Sequence, residues 1–478
     1  MEKTAKYITT TLPYVNAEPH VGFALELVQA DALARYWRLF GHEVFFNTGT
    51  DEHGQKIAEK ADEQGKPRQA YVDEYAATFS RLKESLNLSY DAFIRTTDVK
   101  HKAAAQEIWR RCAEKGDIYK KSYTGLYCVG DEAFVKESEL LNGKCPNHPT
   151  QDPITITEEN YFFRLSKYQD TLIEMLSDES RVVPAWQREW ALSFVQAGLD
   201  DISISRQKDR MDWGIPVPDD DTQVMYVWFD ALTNYISTLD WPDVSPESNF
   251  TKYWMNGETL QLAGKDQVRF QSIIWQAMLM SAEVPTTKQI FYHGFINSGG
   301  QKMSKSLGNV ISPYDMVARY GTDATRYLLL RHVHPTDDSD ITWEKMDEWY
   351  TANLVNGLGN VVARVMKMAE SYLSEPVETS ELHSELIPRF LSECKFNLAM
   401  DTNFGALQAI DEAVTAKEPF KLIKTNEAAA RDIIKEQVNL LYNVAKHLRP
   451  FMPDTVDKIL QAIAANKKPD NLFPRLES

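Results

Sequence analysis

The sequence predicts an α/β domain followed by an α-helical bundle, and three stretches carry that prediction. Residues 6–41 combine a β-like run, a proline-broken loop and an apolar pattern at helical spacing. Strand-like and helix-like segments then alternate as far as Lys115, which is typical of α/β folds. From Lys345 onward helical periodicity dominates and prolines divide it, which indicates a bundle.

Each early element rests on its own pattern. Aromatic and β-branched residues in 6–12 and 42–50 predict buried strands. A helix is predicted from Gly22, with Gly41 as its stop signal, because apolar residues recur there at helical spacing. The same spacing predicts amphipathic helices at 67–86 and 100–115.

The chain changes character over residues 116–221. Short β-like runs and turns replace the long helical patterns, and Trp186, Trp190 and Trp213 stand in this segment. This shift predicts an inserted domain.

The sheet is predicted to resume in the β-rich run 223–230, with a further strand at 291–297. Ser312, with Pro313 directly after it, is a favourable helix start. Gly321 is then expected to end that helix.

Composition limits the function. A chain of 478 residues is too long to fold around a single hydrophobic core. No apolar run approaches the ~18 residues of a membrane span, so no membrane partner is expected. Four cysteines indicate a reducing compartment, and we predict a cytoplasmic protein. The net charge of −17 argues against a broad basic surface, so any RNA contact must use local groups.

His20 and Gly22 stand where the first helix begins. The first N–H groups of a helix are unpaired and partially positive, so this turn is suited to a phosphate. A capping histidine and a helix-start glycine explain the same residues without any ligand.

A second candidate loop, GGQKMSKS, occupies residues 299–306. Lys302 and Lys305 follow two glycines and are suited to reach over a triphosphate. A solvated basic turn is the alternative interpretation.

The two loops in this order are the signature of class I aminoacyl-tRNA synthetases. The segments LPYVNAEPHVGF, TGTDEHGQKI, YVWFDALTNY, GKDQVRF, GQKMSKSLGNVISP and LRPFMP resemble the methionyl-tRNA synthetase family over nearly the whole chain. The resemblance implies a Rossmann-like catalytic domain at 1–116 and 223–322, a connective insertion at 117–222, a stem-contact region at 323–350 and an α-helical anticodon-binding bundle at 351–478.

The resemblance also implies an activity. Such enzymes activate L-methionine with ATP and Mg²⁺ to methionyl-adenylate plus pyrophosphate, and pass the methionyl group to the 3′-terminal adenosine of methionine tRNA. The expected partners are methionine, ATP, and the anticodon and acceptor stem of that tRNA. A monomer is expected because the chain ends without the appended domain that dimerises longer relatives.

The family motifs assign roles to residues of this sequence. The implied catalytic residues are His20, Lys302 and Lys305. The implied ATP-binding residues are His20, Gly22, Gly264, Asp266, Lys302, Met303, Ser304 and Lys305. The implied methionine-binding residues are Leu12, Tyr14, Asp51, Trp228, Ala231, Tyr235, Phe270, Gln271 and Trp275, with Asp51 gripping the α-amino group. The implied anticodon-binding residues are Asn360, Arg364 and Phe420.

Three positions depart from the family pattern. Phe23 stands where the first motif normally closes with a histidine, which removes one donor to the phosphates. Gln271 stands where the pocket helix usually has a histidine, and Gln267 replaces an aliphatic residue. These pocket changes leave methionine as the expected substrate.

Cys128 and Asp131, followed by Cys145 and His148, have spacings close to those of a zinc knuckle. Asp131 stands where the family commonly has a cysteine. A knuckle without metal, held by packing, is the alternative to a structural zinc site.

Three competing functions remain at this stage. One is a synthetase of the same class for another apolar amino acid. The second is a catalytically silent tRNA-binding homologue, which Phe23 and Gln271 suggest because both depart from the family pattern. The third is a nucleotidyltransferase with the same phosphate-binding turn, against which the helical C-terminal bundle argues.

Overall fold

The computed structural model describes residues 4–130, 133–303, 308–382 and 384–476, and the chain forms two compact units. Unit 1 holds the chain up to Glu18, His42–Arg81 and Tyr90–Tyr292, whereas unit 2 holds Pro19–Gly41, Leu82–Ser89 and the chain from His293. The two units are defined by how densely their parts of the chain pack. They do not test the predicted division into five functional parts, which stays a prediction.

Strands and helices are numbered in chain order. The strands are β1 (Ala5–Thr9), β2 (Glu43–Thr50), β3 (Ala92–Arg95), β4 (Ile118–Cys128), β5 (Ala133–Val135), β6 (Ile154–Phe163), β7 (Val182–Val183), β8 (Ile202–Ser203), β9 (Ser205–Gln207), β10 (Pro216–Val217), β11 (Asp220–Met225), β12 (Glu258–Gly264), β13 (Gln289–His293), β14 (Ile296–Ser298), β15 (Gln301–Lys302) and β16 (Ser339–Asp340). The α-helices are α1 (Val21–Leu39), α2 (Gln55–Glu63), α3 (Arg68–Ser80), α4 (Leu82–Ser85), α5 (Val99–Glu114), α6 (Gln169–Ser177), α7 (Ala185–Gln196), α8 (Val227–Ala231), α9 (Asn234–Ser237), α10 (Trp275–Ser281), α11 (Pro313–Tyr320), α12 (Thr322–His332), α13 (Trp343–Trp349), α14 (Asn360–Tyr372), α15 (Leu386–Ser392), α16 (Phe396–Lys417), α17 (Pro419–Leu422), α18 (Glu427–Leu448) and α19 (Pro453–Ala465). Turns of π-helix occupy Phe250–Met255, Arg269–Ile274 and Tyr350–Gly359.

The main sheet of unit 1 has six strands in the order β3-β2-β1-β12-β13-β7. β1 pairs in parallel with both β2 and β12. The order in which successive strands are added to the sheet therefore reverses at β1. Ligands bind such doubly wound sheets at the carboxyl ends of the strands beside this reversal. The predicted α/β fold is therefore confirmed, and its ligand edge is where β1, β2 and β12 end.

The prediction for the return to this sheet is wrong. Residues 223–230 do not rejoin it, because β11 pairs in antiparallel with β9 and β10 in a separate three-stranded sheet and α8 follows at once. After β3, the main sheet is continued by the short edge strand β7 and then by β12 and β13. The predicted strand at 291–297 likewise divides between β13 and β14, which belong to different sheets.

The inserted segment builds a four-stranded sheet in the order β5-β4-β6-β8. Its long central strands β4 and β6 pair in antiparallel. Trp109 on α5 packs edge-on against Tyr161 of β6 and Phe229 of α8, with ring centroids 5.4 and 5.5 Å apart. Burial of these large rings joins the insertion to the core of unit 1.

A buried arginine organises unit 2. Arg326 on α12 is fully buried, and its guanidinium lies 2.7 Å from the carboxylate of Asp31 on α1. The backbone carbonyls of Leu86, Pro450 and Phe451 also accept its N–H groups. A buried guanidinium requires such partners, so this cluster fixes α1 against α12 and the turn before α19.

The predicted helix ends agree with the structure. Gly41 and Gly321 both have positive φ, of 79° and 83°, and the Ser312 hydroxyl accepts the N–H of Tyr314. The helix predicted at 67–86 divides into α3 and α4. Within the described ranges, no helix has both the length and the apolarity needed to cross a lipid bilayer.

Candidate active site

Asp51 follows β2 at the ligand edge of the main sheet. Its N–H donates to the carbonyl of Pro13 at 3.0 Å, and its own carbonyl accepts the N–H of Val15 at 3.1 Å. These bonds hold the segment with Tyr14 against Asp51, which is buried. The structure therefore brings together three of the predicted methionine-binding residues, the half-buried Leu12 and Tyr14 and the buried Asp51.

The predicted aromatic wall also gathers in unit 1. Trp228 on α8 stacks on Phe270 with ring centroids 3.7 Å apart and planes at 14°. Tyr235 on α9 lies 5.7 Å from the Trp275 ring. Ala231, the last residue of α8, is buried. Large apolar and aromatic faces of this kind suit a flexible thioether.

Gln271 is held by a buried network of uncharged groups. Its side-chain amide donates to the Tyr235 hydroxyl at 2.6 Å and accepts from the amide of Gln261 at 3.3 Å. Gln276 donates to its backbone carbonyl at 2.8 Å. The glutamine thus occupies an ordered polar position in the wall, without the proton uptake that a histidine there would allow.

Sequence reasoning missed a buried carboxylate beneath the wall. Asp230, next to Ala231, accepts from Nδ1 of His53 and Nε2 of His101, both at 2.7 Å. Burial alone would raise the pKa of Asp230, but the two imidazoles outweigh it and hold that pKa below its usual value. The signal was an acid inside the apolar run YVWFDAL, where an unpaired charge would be costly.

Gly264 ends β12 at the same edge of the sheet, and Asp266 follows two residues later. Gly264 is buried and Asp266 is exposed. The side-chain amide of Gln267 donates to the Asp266 carboxylate at 3.2 Å. This position, at the carboxyl end of β12, fits the ribose contact implied for Asp266.

His20 caps α1 in unit 2, and this contradicts one expectation. The N–H of Gly22 donates to Nδ1 of His20 at 3.1 Å, and the N–H of Val21 donates to the carbonyl of Ile311 at 2.9 Å. The first helical N–H groups are therefore already bonded, so the prediction that they wait unpaired for a phosphate is wrong. Because Nδ1 accepts, the neutral His20 ring carries its proton on Nε2, and that atom is the donor the site offers.

The environment of His20 favours its neutral form. Surrounding protein atoms lower its pKa although the side chain reaches solvent, and the nearby His293 and Lys302 lower it further. His293 is buried, with Nδ1 2.8 Å from the carbonyl of Gly294 and Nε2 2.9 Å from the carboxylate of Glu26. An acceptor at each ring nitrogen suits a positive imidazolium balanced by Glu26.

Glu26 and His293 are therefore functional candidates whose pairing the sequence did not reveal. The available signal was an acid on the buried side of α1. We call His20, His293 and Lys302 the cation cluster, in which the charges of His293 and Lys302 lower the pKa of His20 and His20 itself contributes a neutral N–H donor.

Lys302 lies on a β-hairpin anchored in unit 2. β14 pairs with β15, and the N–H of Gly300 donates to the Asp340 carboxylate at 2.7 Å. Gly299 and Gly300 have φ of 64° and 74°, a conformation that favours glycine in this turn. The ammonium of Lys302 lies 5.2 Å from the centroid of the Phe295 ring.

Only part of the remaining loop lies within the described residues. Met303 is half-buried, whereas Ser304 and Lys305 lie outside the described residues. Phe23, which replaces the usual histidine, is half-buried on α1.

The predicted anticodon residues lie on the bundle. Asn360 is exposed at the start of α14, and Arg364 pairs one turn later with Asp411 of α16. The Arg364 guanidinium also approaches the hydroxyl of Thr415 at 3.4 Å. Phe420 on α17 is 38% exposed.

Three of the four predicted metal ligands come together. Each of these residues offers one ligand atom, and the three atoms, from Cys128, Cys145 and His148, lie within 4.8 Å of one another. A Cβ on Gly130 would approach the His148 ring to 2.2 Å, so only glycine admits the imidazole here. Two thiols and an imidazole are donors that zinc prefers, and the residues fit that ion. Asp131 lies outside the described residues.

Comparison with known proteins agrees with this geometry. Residues 6–153 and 148–366 match the family model described as tRNA synthetases class I (M). A methionine–tRNA ligase of Brucella melitensis biotype 1 is 38% identical to this chain, covering 97% of it and 93% of the relative. The chain belongs to the class I methionyl-tRNA synthetases.

Other relatives agree with this assignment. A methionine–tRNA ligase of Thermosynechococcus vestitus is 45% identical over 80% of this chain and 72% of its own length. The Mycobacterium tuberculosis methionyl-tRNA synthetase, solved in complex with methionyl-adenylate, matches with a TM-score of 0.91 at 35% identity. That match covers 99% of this chain and 100% of that one. The resemblance first drawn from the sequence motifs is confirmed.

Proposed function

We propose that this methionine–tRNA ligase activates methionine at the ligand edge of the main sheet and uses the cation cluster to promote loss of pyrophosphate. The observation that carries the proposal is the orientation of His20 at the start of α1, where Nδ1 accepts the N–H of Gly22 at 3.1 Å and Nε2–H is left as a donor. Asp51 and the stacked pair Trp228–Phe270 support a methionine site in unit 1.

The first reaction needs no protein nucleophile. The methionine carboxylate oxygen attacks the α-phosphorus of ATP, a mixed anhydride forms, and the bond from that phosphorus to the bridging oxygen breaks with release of pyrophosphate. Magnesium accompanies ATP as part of the substrate. A ribose hydroxyl of the terminal tRNA adenosine then attacks the methionyl carbonyl carbon and releases AMP.

The protein contributes position and charge. Asp51 would accept hydrogen bonds from the α-ammonium of methionine and so direct the carboxylate. Nε2–H of His20 and the ammonium of Lys302 would stabilise the negative charge that grows on the departing phosphates. Each such donor is worth about 2.7–4 kcal/mol at the transition state, or roughly 100- to 1000-fold in rate.

Side-chain specificity rests on the aromatic wall. One methylene discriminates by only ~1–3 kcal/mol, so leucine, isoleucine and valine are the informative competitors. In ATP–pyrophosphate exchange we expect methionine to exceed all three by at least tenfold. Comparable exchange with another of them would reassign the substrate.

Asp51→Asn provides the matched test of the amino-group contact. The amide keeps the size of the carboxylate but loses its charge, so we expect a higher KM for methionine with an unchanged KM for ATP. Absence of exchange in the wild-type protein, together with anticodon-dependent tRNA binding, would identify a silent homologue.

We also propose structural zinc at Cys128, Cys145 and His148, with Asp131 as fourth ligand. The close approach of three donor atoms supports it. Such an ion would order the insertion, away from the chemistry. We expect one zinc per chain by mass spectrometry, and a lower melting temperature after chelation that Cys145→Ser reproduces. Metal-free protein whose melting does not respond to a chelator would favour the packed knuckle.

Two further expectations complete the proposal. All four cysteines are free thiols, which fits a cytoplasmic protein, because thiols persist in a reducing compartment. A monomer stays our prediction, and sedimentation of the full chain tests it.

A further inference from the structure

Helix α7 carries an aromatic face that the proposed chemistry does not use. Trp186, Trp190 and Phe194 stand four residues apart and therefore on one side of the helix. The two tryptophans are 44% and 48% exposed. The rings of Trp190 and Phe194 stack with centroids 5.3 Å apart and planes at 16°. Exposed apolar rings arranged this way mark a binding surface.

The aromatic face lies beside the ligand edge of the main sheet. Helix α7 begins two residues after the edge strand β7, and the side-chain amide of Gln187 in its first turn donates to the carbonyl of Lys265 at 3.0 Å. Lys265 directly follows β12 and precedes Asp266. This bond fixes the start of α7 against the segment that carries the ribose contact.

A cation accompanies the rings. The guanidinium of Arg269 lies 5.4 Å from the centroid of Phe194. Arg269 is also the neighbour in sequence of Phe270, which stacks on Trp228 in the methionine wall. The aromatic face and the wall are therefore connected through adjacent residues.

We propose that Trp186, Trp190 and Phe194, together with Arg269, form a stacking platform for the unpaired 3′-terminal nucleotides of tRNA. The inference rests on the proposed function, because transfer requires that end of the tRNA at the ligand edge. Aromatic faces accept any base by stacking, and a guanidinium pairs with a backbone phosphate. Base stacking explains exposed rings in a row better than a single pocket does.

Local chemistry favours an RNA end over a second copy of the chain. The net charge of −17 opposes both occupants, so contact depends on local groups, and Arg269 beside the rings supplies a cation for an RNA phosphate. An RNA end is therefore the occupant that the observations favour.

The test combines protein variants with two tRNAs, one complete and one lacking its unpaired 3′ nucleotides. The double variant Trp186→Ala/Trp190→Ala should bind complete tRNA about tenfold more weakly than wild type. Both proteins should bind the shortened tRNA equally, because the lost contact is then absent from both. Trp190→Phe should retain most of the affinity, since phenylalanine still stacks. Met255→Ala removes another exposed apolar side chain of unit 1 and should change neither value.

Three results would overturn the platform. One is equal binding of complete tRNA by wild type and double variant, and another is an equal loss with both tRNAs. The third is a wild-type dimer in sedimentation that the double variant dissolves, which would assign the face to contact between copies. Methionine-dependent exchange by the wild-type protein separates the two proposals. If exchange is absent, the proposed function is wrong. If exchange is present and any of these three results is obtained, the platform alone is wrong.

Discussion

The N–H of Gly22 donates a hydrogen bond to Nδ1 of His20 at 3.1 Å, and the same glycine leaves no room for a side chain. A Cβ at position 22 would lie 2.9 Å from Cε1 of His20. The histidine is therefore placed by the residue two positions later. This relationship gives the glycine of the first motif a steric role and orients Nε2–H as a donor.

Gly22→Ala should displace His20 and lower the exchange rate by about 100-fold, the value of one lost donor. The fold should persist, because alanine is favoured over glycine within a helix. Gly405→Ala is the matched control, since Gly405 lies in α16 with open space around its Cβ position. Its exchange rate should match wild type. Equal rates for Gly22→Ala and wild type would contradict the steric role.

Lys302→Ala/Lys305→Ala should lower the rate of activation by at least 100-fold while the affinity for methionine changes less than threefold. The reason is that both ammonium groups are proposed to act on the departing phosphates, not on the amino acid. Rapid-mixing measurement of adenylate formation separates the two quantities. Lys115→Ala removes an exposed lysine paired with Glu283 and serves as the control. Unchanged adenylate formation in the double variant would remove the proposed mechanism.

Asn360→Ala and Arg364→Ala should each raise the KM for tRNA about tenfold in aminoacylation and leave tRNA-free exchange unaltered. Asn360 is exposed and Arg364 lies one turn later on the same helix, and we expect both to contact base edges of the anticodon. Lys367→Ala, on the same helix and paired with Glu370, is the control and should stay within twofold. A parallel fall of exchange and aminoacylation would show that the two residues act on stability instead.

Local signals predicted much of the fold and the site. Proline and glycine positions gave the ends of α1 and α11, and strand patterns gave β1 and β2 to within a few residues. Such features depend on neighbouring residues, which a sequence displays directly.

Long-range pairing escaped prediction. Nothing local distinguishes β11 from a strand of the main sheet, because its partners β9 and β10 are chosen by tertiary contact. The same applies to Glu26 with His293, which are separated by 267 positions. The bond from Gly22 to His20 shows a third limit, since a cap can use the very N–H groups that helix geometry leaves available.

The stability of unit 2 should depend on pH through His332. Its ring lies flat on Trp349, with centroids 4.3 Å apart, and Nε2 lies 3.0 Å from the Tyr327 hydroxyl. Burial, and secondly the charge of Arg331, lower the pKa of His332 to about 4 from 6.5. Between these two pKa values, His332 is therefore protonated in the unfolded chain and neutral in the folded chain. The stabilisation is complete above pH 6.5 and is lost as the pH falls towards 4, by about 2 kcal/mol at pH 5.

His332→Gln keeps a polar side chain at this position but cannot titrate. Urea unfolding at pH 7 and pH 5 should therefore show a fall in the free energy of unfolding that is about 2 kcal/mol smaller for the variant than for wild type. His334→Gln, an exposed histidine nearby, should retain the wild-type difference. If wild type and His332→Gln lost the same free energy between the two pH values, the buried ring would not be the group that titrates.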